Sequence, residues 1–395
     1  MIAGPVLAAA SAALEAGRAG GVAPALAAAV LREGRVVHAS WHGVLPVAGA
    51  GERALRPDDL FDIASLTKVM ATTTLAAQLA DAGTLDLDAP ASRWLPGFEA
   101  AGKGAVTARH LLGHSSGLPA WRPYHERCAA DPVAGRAFLA PGARPPFPAL
   151  REAFARGRAL VAAAVREEAL EAPPGTHEAY SDPGFIALGL ALEVAAGEPL
   201  AALADARVFR PLGLASTFFL DGLEPAAARA RAEGRAFVPA RHSGPRGEVV
   251  QGAVDDDTAW AMGGTAGHAG VFSTATDVAA VGQAWLEAVH GRGGVVPVEA
   301  ARAFARPGAA PGSGRGLGWD VPTGETSLGT RLGRGPRGAV GHLGFTGCSL
   351  WIDLDAAVVV ALLTNHCHPA GVDRDRIRAF RRAFHDGVAE ALGIR

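Results

Sequence analysis

Apolar and polar positions along this chain follow two rhythms, and the change between them divides it. Residues 3–17 carry apolar side chains at helical spacing, and 24–44 read as two strands about a turn at Glu33-Gly34. From about 65 to 310 the pattern becomes Ala/Leu-rich and helical, interrupted by Gly/Pro-rich loops. Its clearest helices fall at 65–83, 107–113, 151–169, 183–196, 199–206 and 276–290. After about 315 strands return: 348–353 and 357–364 are apolar and β-branched around Leu354-Asp355, and an amphipathic helix follows at 373–392. Strands from the two ends are expected to share one antiparallel sheet. The fold class is therefore α/β (α+β), with a discontinuous α/β lobe from 1–64 plus 315–395 packed against a mainly helical lobe, 65–314. Within the helical lobe, 121–150 holds six prolines and little periodicity, which predicts a loop excursion near the cleft.

Composition narrows the function. With 49% hydrophobic and 19% charged residues the chain has the make-up of a folded enzyme, and its length of 395 residues allows two packed lobes. The net charge of -2, from 37 basic and 39 acidic residues, offers no field for nucleic acid or an anionic membrane. The arginines from Arg374 to Arg382 read as a solvated helix face. Cys128, Cys348 and Cys367 are odd in number and widely spaced, which points to reduced, packed thiols. The first residues lack a basic n-region, and no apolar run reaches about 18 residues, so a cytoplasmic protein without secretory signal or membrane span is expected. Lys68 and Lys103 are the only lysines, Tyr124 and Tyr180 the only tyrosines and Asn365 the only asparagine. A lysine or tyrosine retained in such a composition carries information.

Ser65-Leu66-Thr67-Lys68 opens the helical pattern of Val69, Met70, Leu75 and Leu79. A separation of three residues puts Ser65 and Lys68 on one helix face, and the helix N-terminus aims N–H groups at the serine oxygen. A desolvated lysine can lose its charge and take the serine proton, as arginine cannot. The plainer alternative makes Ser65 an N-cap and Lys68 a solvated residue. Tyr180-Ser181-Asp182 lies between the loop Pro173-Pro174-Gly175-Thr176 and a helix. Tyr180 can relay a proton there once a nearby cation lowers its pKa; alternatively it packs while Asp182 caps the helix. Gly341-His342-Leu343-Gly344-Phe345-Thr346-Gly347 precedes a strand, and its glycines allow close backbone approach to a ligand. His342 is a candidate proton donor or electrostatic neighbour, and the Phe345 N–H a candidate second oxyanion donor; a glycine-rich strand start with a satisfied histidine is the alternative.

Taken in order, these three segments resemble the SxxK, Tyr-x-Asn and Lys-Thr-Gly motifs of the serine β-lactamase and penicillin-binding-protein superfamily, closest to its class C-like branch of esterases and D-amino-acid peptidases. The resemblance extends through Phe61-Asp62-Ile63-Ala64, the phrase from His110 to Leu118, Pro211-Leu212-Gly213-Leu214, the run from Gly263 to Gly270 and Leu362-Leu363-Thr364-Asn365. It implies a β-lactamase/transpeptidase-like fold, Ser65 as the acylated nucleophile, Lys68 and Tyr180 as its proton-exchanging partners, and an oxyanion hole from the Ser65 and Phe345 N–H groups. Asp182, His342, Gly344 and His268 are the expected substrate-binding residues. The reaction is acyl transfer from a small-molecule substrate to water, without cofactor or metal.

Two departures bear on the substrate. Asp182 stands where the family often has Asn, and an ionised Asp cannot donate to a substrate carbonyl. His342-Leu343-Gly344 lacks the permanent cation and the hydroxyl suited to a substrate carboxylate. An ester or small amide is thus expected ahead of a β-lactam or a D-Ala-terminated peptide, which would require Arg315, Arg331 or Arg334 to receive its carboxylate. A catalytically silent ligand-binding homologue is the rival from another class. His110 and His114 read as a structural loop, His366-Cys367-His368 is too compact for one metal, and Asp255-Asp256-Asp257 reads as a solvated loop rather than a cation site.

Overall fold

The computed structural model describes residues 5–47, 51–308, 310, 313–322, 326–368 and 370–394. Its strands are β1 (Ala25–Arg32), β2 (Arg35–Val47), β3 (Gly51–Ala54), β4 (Phe61–Asp62), β5 (Phe218–Phe219), β6 (His242–Ser243), β7 (Glu248–Val249), β8 (Val271–Ser273), β9 (Ala339–Leu343), β10 (Ser349–Asp353) and β11 (Val358–Thr364). Its α-helices are α1 (Pro5–Ala19), α2 (Thr73–Asp81), α3 (Ala108–Leu112), α4 (Tyr124–Ala130), α5 (Ala149–Glu167), α6 (Asp182–Ala196), α7 (Leu200–Ala204), α8 (Pro225–Ala232), α9 (Asp257–Ala261), α10 (Ala275–Val289), α11 (Val298–Phe304) and α12 (Arg374–Ala391).

Strands from the two ends of the chain do share one antiparallel sheet, in the order β3-β2-β1-β11-β10-β9. The β1–β2 hairpin turns at Glu33 and Gly34, both with positive φ, which suits a two-residue connection between twisted strands. The central strands are buried on both faces, and the period of two sorts their side chains. Ala25, Ala27, Ala29, Val359, Ala361 and Leu363 enter the main core, whereas Leu26, Ala28, Val30, Val358, Val360 and Leu362 meet Leu14 and Phe384 from α1 and α12. Residues 3 and 4 of the expected first helix lie outside the described residues.

The middle of the chain departs from the sequence reading in three places. The expected continuous helix 65–83 is a 3₁₀ turn at Ala64–Leu66, a π-helical stretch at Lys68–Thr72, and only then α2. Threonine side chains compete for backbone there: Thr72 donates to the Gly267 carbonyl at 2.7 Å and Thr74 to that of Val69 at 2.7 Å. A small sheet, β4-β8-β5, crosses the helical region; its strands of two or three residues are too short for periodicity to reveal. The stretch 121–150 is not a plain loop. It contains α4, with Tyr124 and Cys128 buried, and short 3₁₀ turns at Ala134–Phe138 and Pro141–Ala143.

Among the described residues no single helix is long and apolar enough to cross a membrane. Asp182–Ala196 and Leu200–Phe209 together have the composition, but they bend by 76° and contribute to the core.

Candidate active site

Ser65 follows a backbone corner. Ala64 is held at φ +47, a left-handed conformation that an L-residue with a Cβ adopts only under constraint. The constraint is Asp62, whose Oδ1 accepts the Ala64 N–H at 2.8 Å and whose Oδ2 accepts that of Asp255 at 2.6 Å. Burial and the neighbouring charge of Asp255 push the Asp62 carboxyl up to about 7.

Lys68 is fully buried, and its ammonium has three oxygen partners: Ser65 Oγ at 3.0 Å, Asp182 Oδ1 at 2.7 Å and the His268 carbonyl at 3.3 Å. Tyr180 and Phe185 cover it, with ring centroids 4.8 and 5.5 Å away. Burial alone would neutralise this lysine, as expected from its place beside Ser65. Burial does pull its pKa down, but the opposing pull of the Asp182 carboxylate and Tyr180 leaves it above the ordinary value. Asp182 is therefore the counter-ion of Lys68 in the free protein, and it also lines the cleft. It reaches that place as the first residue of α6, where Ser181 caps the helix by accepting the Gly184 N–H at 3.0 Å, and the helix dipole favours an acid there.

Tyr180 stands beside the pair, its ring against the Lys68 ammonium. Burial raises its pKa more than the Lys68 charge lowers it, so the expected net lowering does not occur in the free protein. Its loop is gripped by His114: the Ala179 N–H donates to the His114 carbonyl at 2.8 Å, the Ser181 N–H to its Nδ1 at 2.9 Å, and the rings of His114 and Tyr180 lie 4.5 Å apart. Burial, with the charges of Arg315 and Lys68, holds His114 well below the usual histidine range, so it acts as a neutral acceptor. Arg315 lies over the Tyr180 ring at 5.4 Å but pairs with Glu178 at 2.6 Å and with Asp320.

His342 corrects another expectation. It sits on β9, buried, 6.0 Å from the Tyr180 ring centroid, with Nδ1 donating to the Leu343 carbonyl at 2.8 Å. Burial and the charges of Lys68 and Arg315 keep it neutral, so it offers neither a cation nor a ready proton, and the cleft wall here is formed by Leu343, Gly344 and Phe345. The segment Gly344–Gly347 is a turn closed by the Gly347 N–H on the Gly344 carbonyl at 3.0 Å. It lies so close to Ser65 that a Cβ on Gly344 would stand 2.6 Å from the Ile63 carbonyl. Among the described residues, neither the Ser65 nor the Phe345 N–H donates to a backbone carbonyl.

His268 lines the cleft, and its Nε2 donates to Asp256 Oδ1 at 3.1 Å. The other histidine pairs serve the backbone: the Thr107 N–H donates to His110 Nδ1, and His366 and His368 bond main-chain groups. The stretch Asp255-Asp256-Asp257 is not a solvated loop: Asp255 and Asp257 are buried and pair with Arg241, and Asp257 also with Arg246.

Ser65, Tyr180, Asp182 and His268 border a cleft of about 930 Å³, with Trp121 and His125 from the 121–150 stretch in its wall and Phe345, also in its wall, 48% exposed. Two arginines of α12 also reach it. Arg374 is exposed in the wall, in keeping with a solvated helix face, whereas Arg381, against that reading, is buried beneath the Gly344–Gly347 turn. The missed signal was spacing: Arg381 falls on the apolar stripe of Ile377, Phe384 and Val388. Of the arginines considered for a substrate carboxylate, Arg315 is already paired twice, Arg331 lies 3.7 Å from Glu390, and Arg334 bonds the Thr330 carbonyl.

Comparison with known proteins identifies the family and the fold. The family model described as Beta-lactamase matches residues 10–383. An N-acetylmuramyl-L-alanine amidase of Bacillus subtilis (strain 168) is 28% identical over 369 residues, covering 89% of this chain and 79% of that protein. Two solved structures share the fold. EstCE1, a hydrolase with promiscuous acyltransferase activity, gives a TM-score of 0.68 at 22% identity, over 96% of this chain and 98% of its own. The D-alanine carboxypeptidase AmpC from Burkholderia cenocepacia gives 0.66 at 19% identity, over 97% and 98%.

Proposed function

The chain belongs to the beta-lactamase family of serine hydrolases, and from that premise we propose that Ser65 is acylated by an ester or small amide and the acyl group passed to water. The observation that carries this reading is the buried Lys68 ammonium 3.0 Å from Ser65 Oγ, at the edge of an open cleft. Lys68 first gives up a proton to solvent; as Ser65 Oγ then bonds to the substrate carbonyl carbon, its proton passes into the Lys68–Tyr180 group. The carbonyl oxygen becomes an oxyanion received by the Ser65 and Phe345 N–H groups. Collapse breaks the bond to the alcohol or amine, which leaves with that proton. Water then attacks the acyl ester by the same steps in reverse, releasing a carboxylic acid and restoring Ser65.

Several features support the substrate class. His342 is neutral and Arg315 is paired with two acids, so among the described residues no unpaired cation stands beside Tyr180 to receive a carboxylate. Leu343, Phe345 and Trp121 supply apolar surface to the cleft wall. A second reading, a D-Ala-type peptidase, is favoured by the exposed Arg374 in the cleft wall and by the named activity of one structural neighbour. Steady-state turnover of a short-chain aryl ester, a chromogenic cephalosporin and a D-Ala-D-Ala peptide separates the two. The ester is expected to lead in kcat/KM by at least about tenfold, with Arg374→Ala leaving it unchanged. Fastest turnover of the peptide, with a raised KM in Arg374→Ala, would establish the second reading instead. Binding of these compounds without turnover of any would identify a catalytically silent homologue.

A further inference from the structure

We propose that Arg381 is a positioning residue for the oxyanion hole: its guanidinium holds the Gly344–Phe345 peptide so that the Phe345 N–H faces the reacting carbonyl. This rests on Ser65 and Phe345 having the roles proposed above. Arg381 comes from the middle of α12, is buried, and donates from Nε to the Gly347 carbonyl at 3.0 Å and from Nη2 to those of Gly344 at 3.0 Å and Cys348 at 2.7 Å. Those bonds span the whole turn that carries Phe345.

Two observations set this apart from ordinary packing. The Gly344 and Cys348 carbonyls already accept backbone N–H groups, from Gly347 at 3.0 Å and Gly344 at 2.7 Å, so the arginine is not needed to satisfy them. Among the described residues Arg381 has no carboxylate within ion-pair distance, although burying an unpaired guanidinium is costly and a neutral donor would spare that cost. Burial lowers its pKa only to about 10, so it is charged at neutral pH. What the charge supplies follows from the planarity of the peptide unit. In a trans peptide the C=O and N–H point in opposite directions, so a cation bonded to the Gly344 oxygen fixes the plane, polarises it and strengthens the Phe345 N–H on its far side as a donor. A donor oriented before the oxyanion forms needs no reorganisation when it does.

The test compares Arg381→Met, Arg381→Gln and Leu14→Ala, the last removing a buried contact from the same core layer without touching the turn. The readouts are kcat and KM for an aryl ester, the Kd of phenylboronic acid, which forms a tetrahedral adduct with a reactive serine, and the thermal midpoint. Arg381→Met and Arg381→Gln are expected to lose on the order of 10²-fold in kcat, with a parallel loss of boronic acid affinity and KM within about threefold. Leu14→Ala should lower the midpoint yet keep kcat per folded molecule. Retention of kcat and boronic acid affinity within about threefold by either arginine variant would overturn the proposal, as would an equal kcat loss in Leu14→Ala. Arg381→Gln carries the comparison if the methionine variant does not fold. Ser65→Ala separates the two levels: if it too keeps turnover, the nucleophile assignment fails, and if it alone loses turnover, only the role of Arg381 does.

Discussion

Lys68 keeps its charge in the core because the Asp182 carboxylate reaches it from the cleft wall. That pairing has a kinetic consequence, since a lysine held protonated accepts the serine proton only after losing its own. Turnover is therefore expected to rise with pH into the alkaline range. Asp182→Asn removes the interaction that raises the Lys68 pKa and leaves the burial that lowers it, so the rising limb of kcat/KM should move to lower pH. A pH–rate profile checks this, and a limb that stays in place would deny Asp182 its role. Tyr180→Phe should lower kcat by roughly 10²–10⁴-fold, the usual contribution of a positioned proton-transfer group, with thermal stability little changed. Scarcity made Lys68 and Tyr180 visible in the sequence, but it marked structural residues too. Lys103 donates to the Glu168 carbonyl at 2.5 Å, Tyr124 to the Glu168 side chain at 2.9 Å, and Asn365 links Ala25 to the Pro239 carbonyl. Asp182 as counter-ion and His114 as the clamp on Tyr180 were not legible, because their partners lie 114 and 67 positions away and only the folded chain brings them together.

At the scale of elements, strong periodicity was enough to read the β1–β2 hairpin, β10, β11, α5, α6, α10 and α12 to within a few residues. It failed where side chains rather than backbone decide the geometry, as in the interrupted helix after Ser65, and where strands are too short to show a period. The junction of α6 with the loop before β8 gives a testable case. Gly189 and Gly267 approach so closely that a Cβ on Gly267 would lie 2.0 Å from the Phe185 carbonyl. Gly267→Ala should cost about 1–3 kcal/mol of stability by overpacking. It should also lower kcat, because the displaced loop carries the His268 carbonyl that receives Lys68. Denaturant unfolding and steady-state kinetics on one preparation measure both, and a destabilised variant with full kcat would show that the carbonyl contributes nothing.

The whole molecule sets a sheet built from both chain ends against helices on each face, with the cleft where β9 and its following turn meet the segment bearing Ser65. One buried group links that architecture to pH. Asp62 titrates near 7 in the folded protein but near 4 when unfolded. The stability it confers is complete below the unfolded value and lost as pH rises through the folded one. Relative to Asp62→Asn, the wild-type thermal midpoint should therefore decline between pH 4 and 8, at most about 1.4 kcal/mol of stability per pH unit. A constant difference would place Asp62 in the ordinary carboxylate range. The central claim is that acyl transfer passes through Ser65, and the most direct measurement is the mass of the protein quenched in acid during turnover of an aryl acetate, followed by peptide mapping. The account predicts one acetyl group on the peptide containing Ser65 and none on the Ser65→Ala protein, which should also lose turnover. An acetyl group mapped to another residue, or a Ser65→Ala protein that hydrolyses the ester at the wild-type rate, would contradict it.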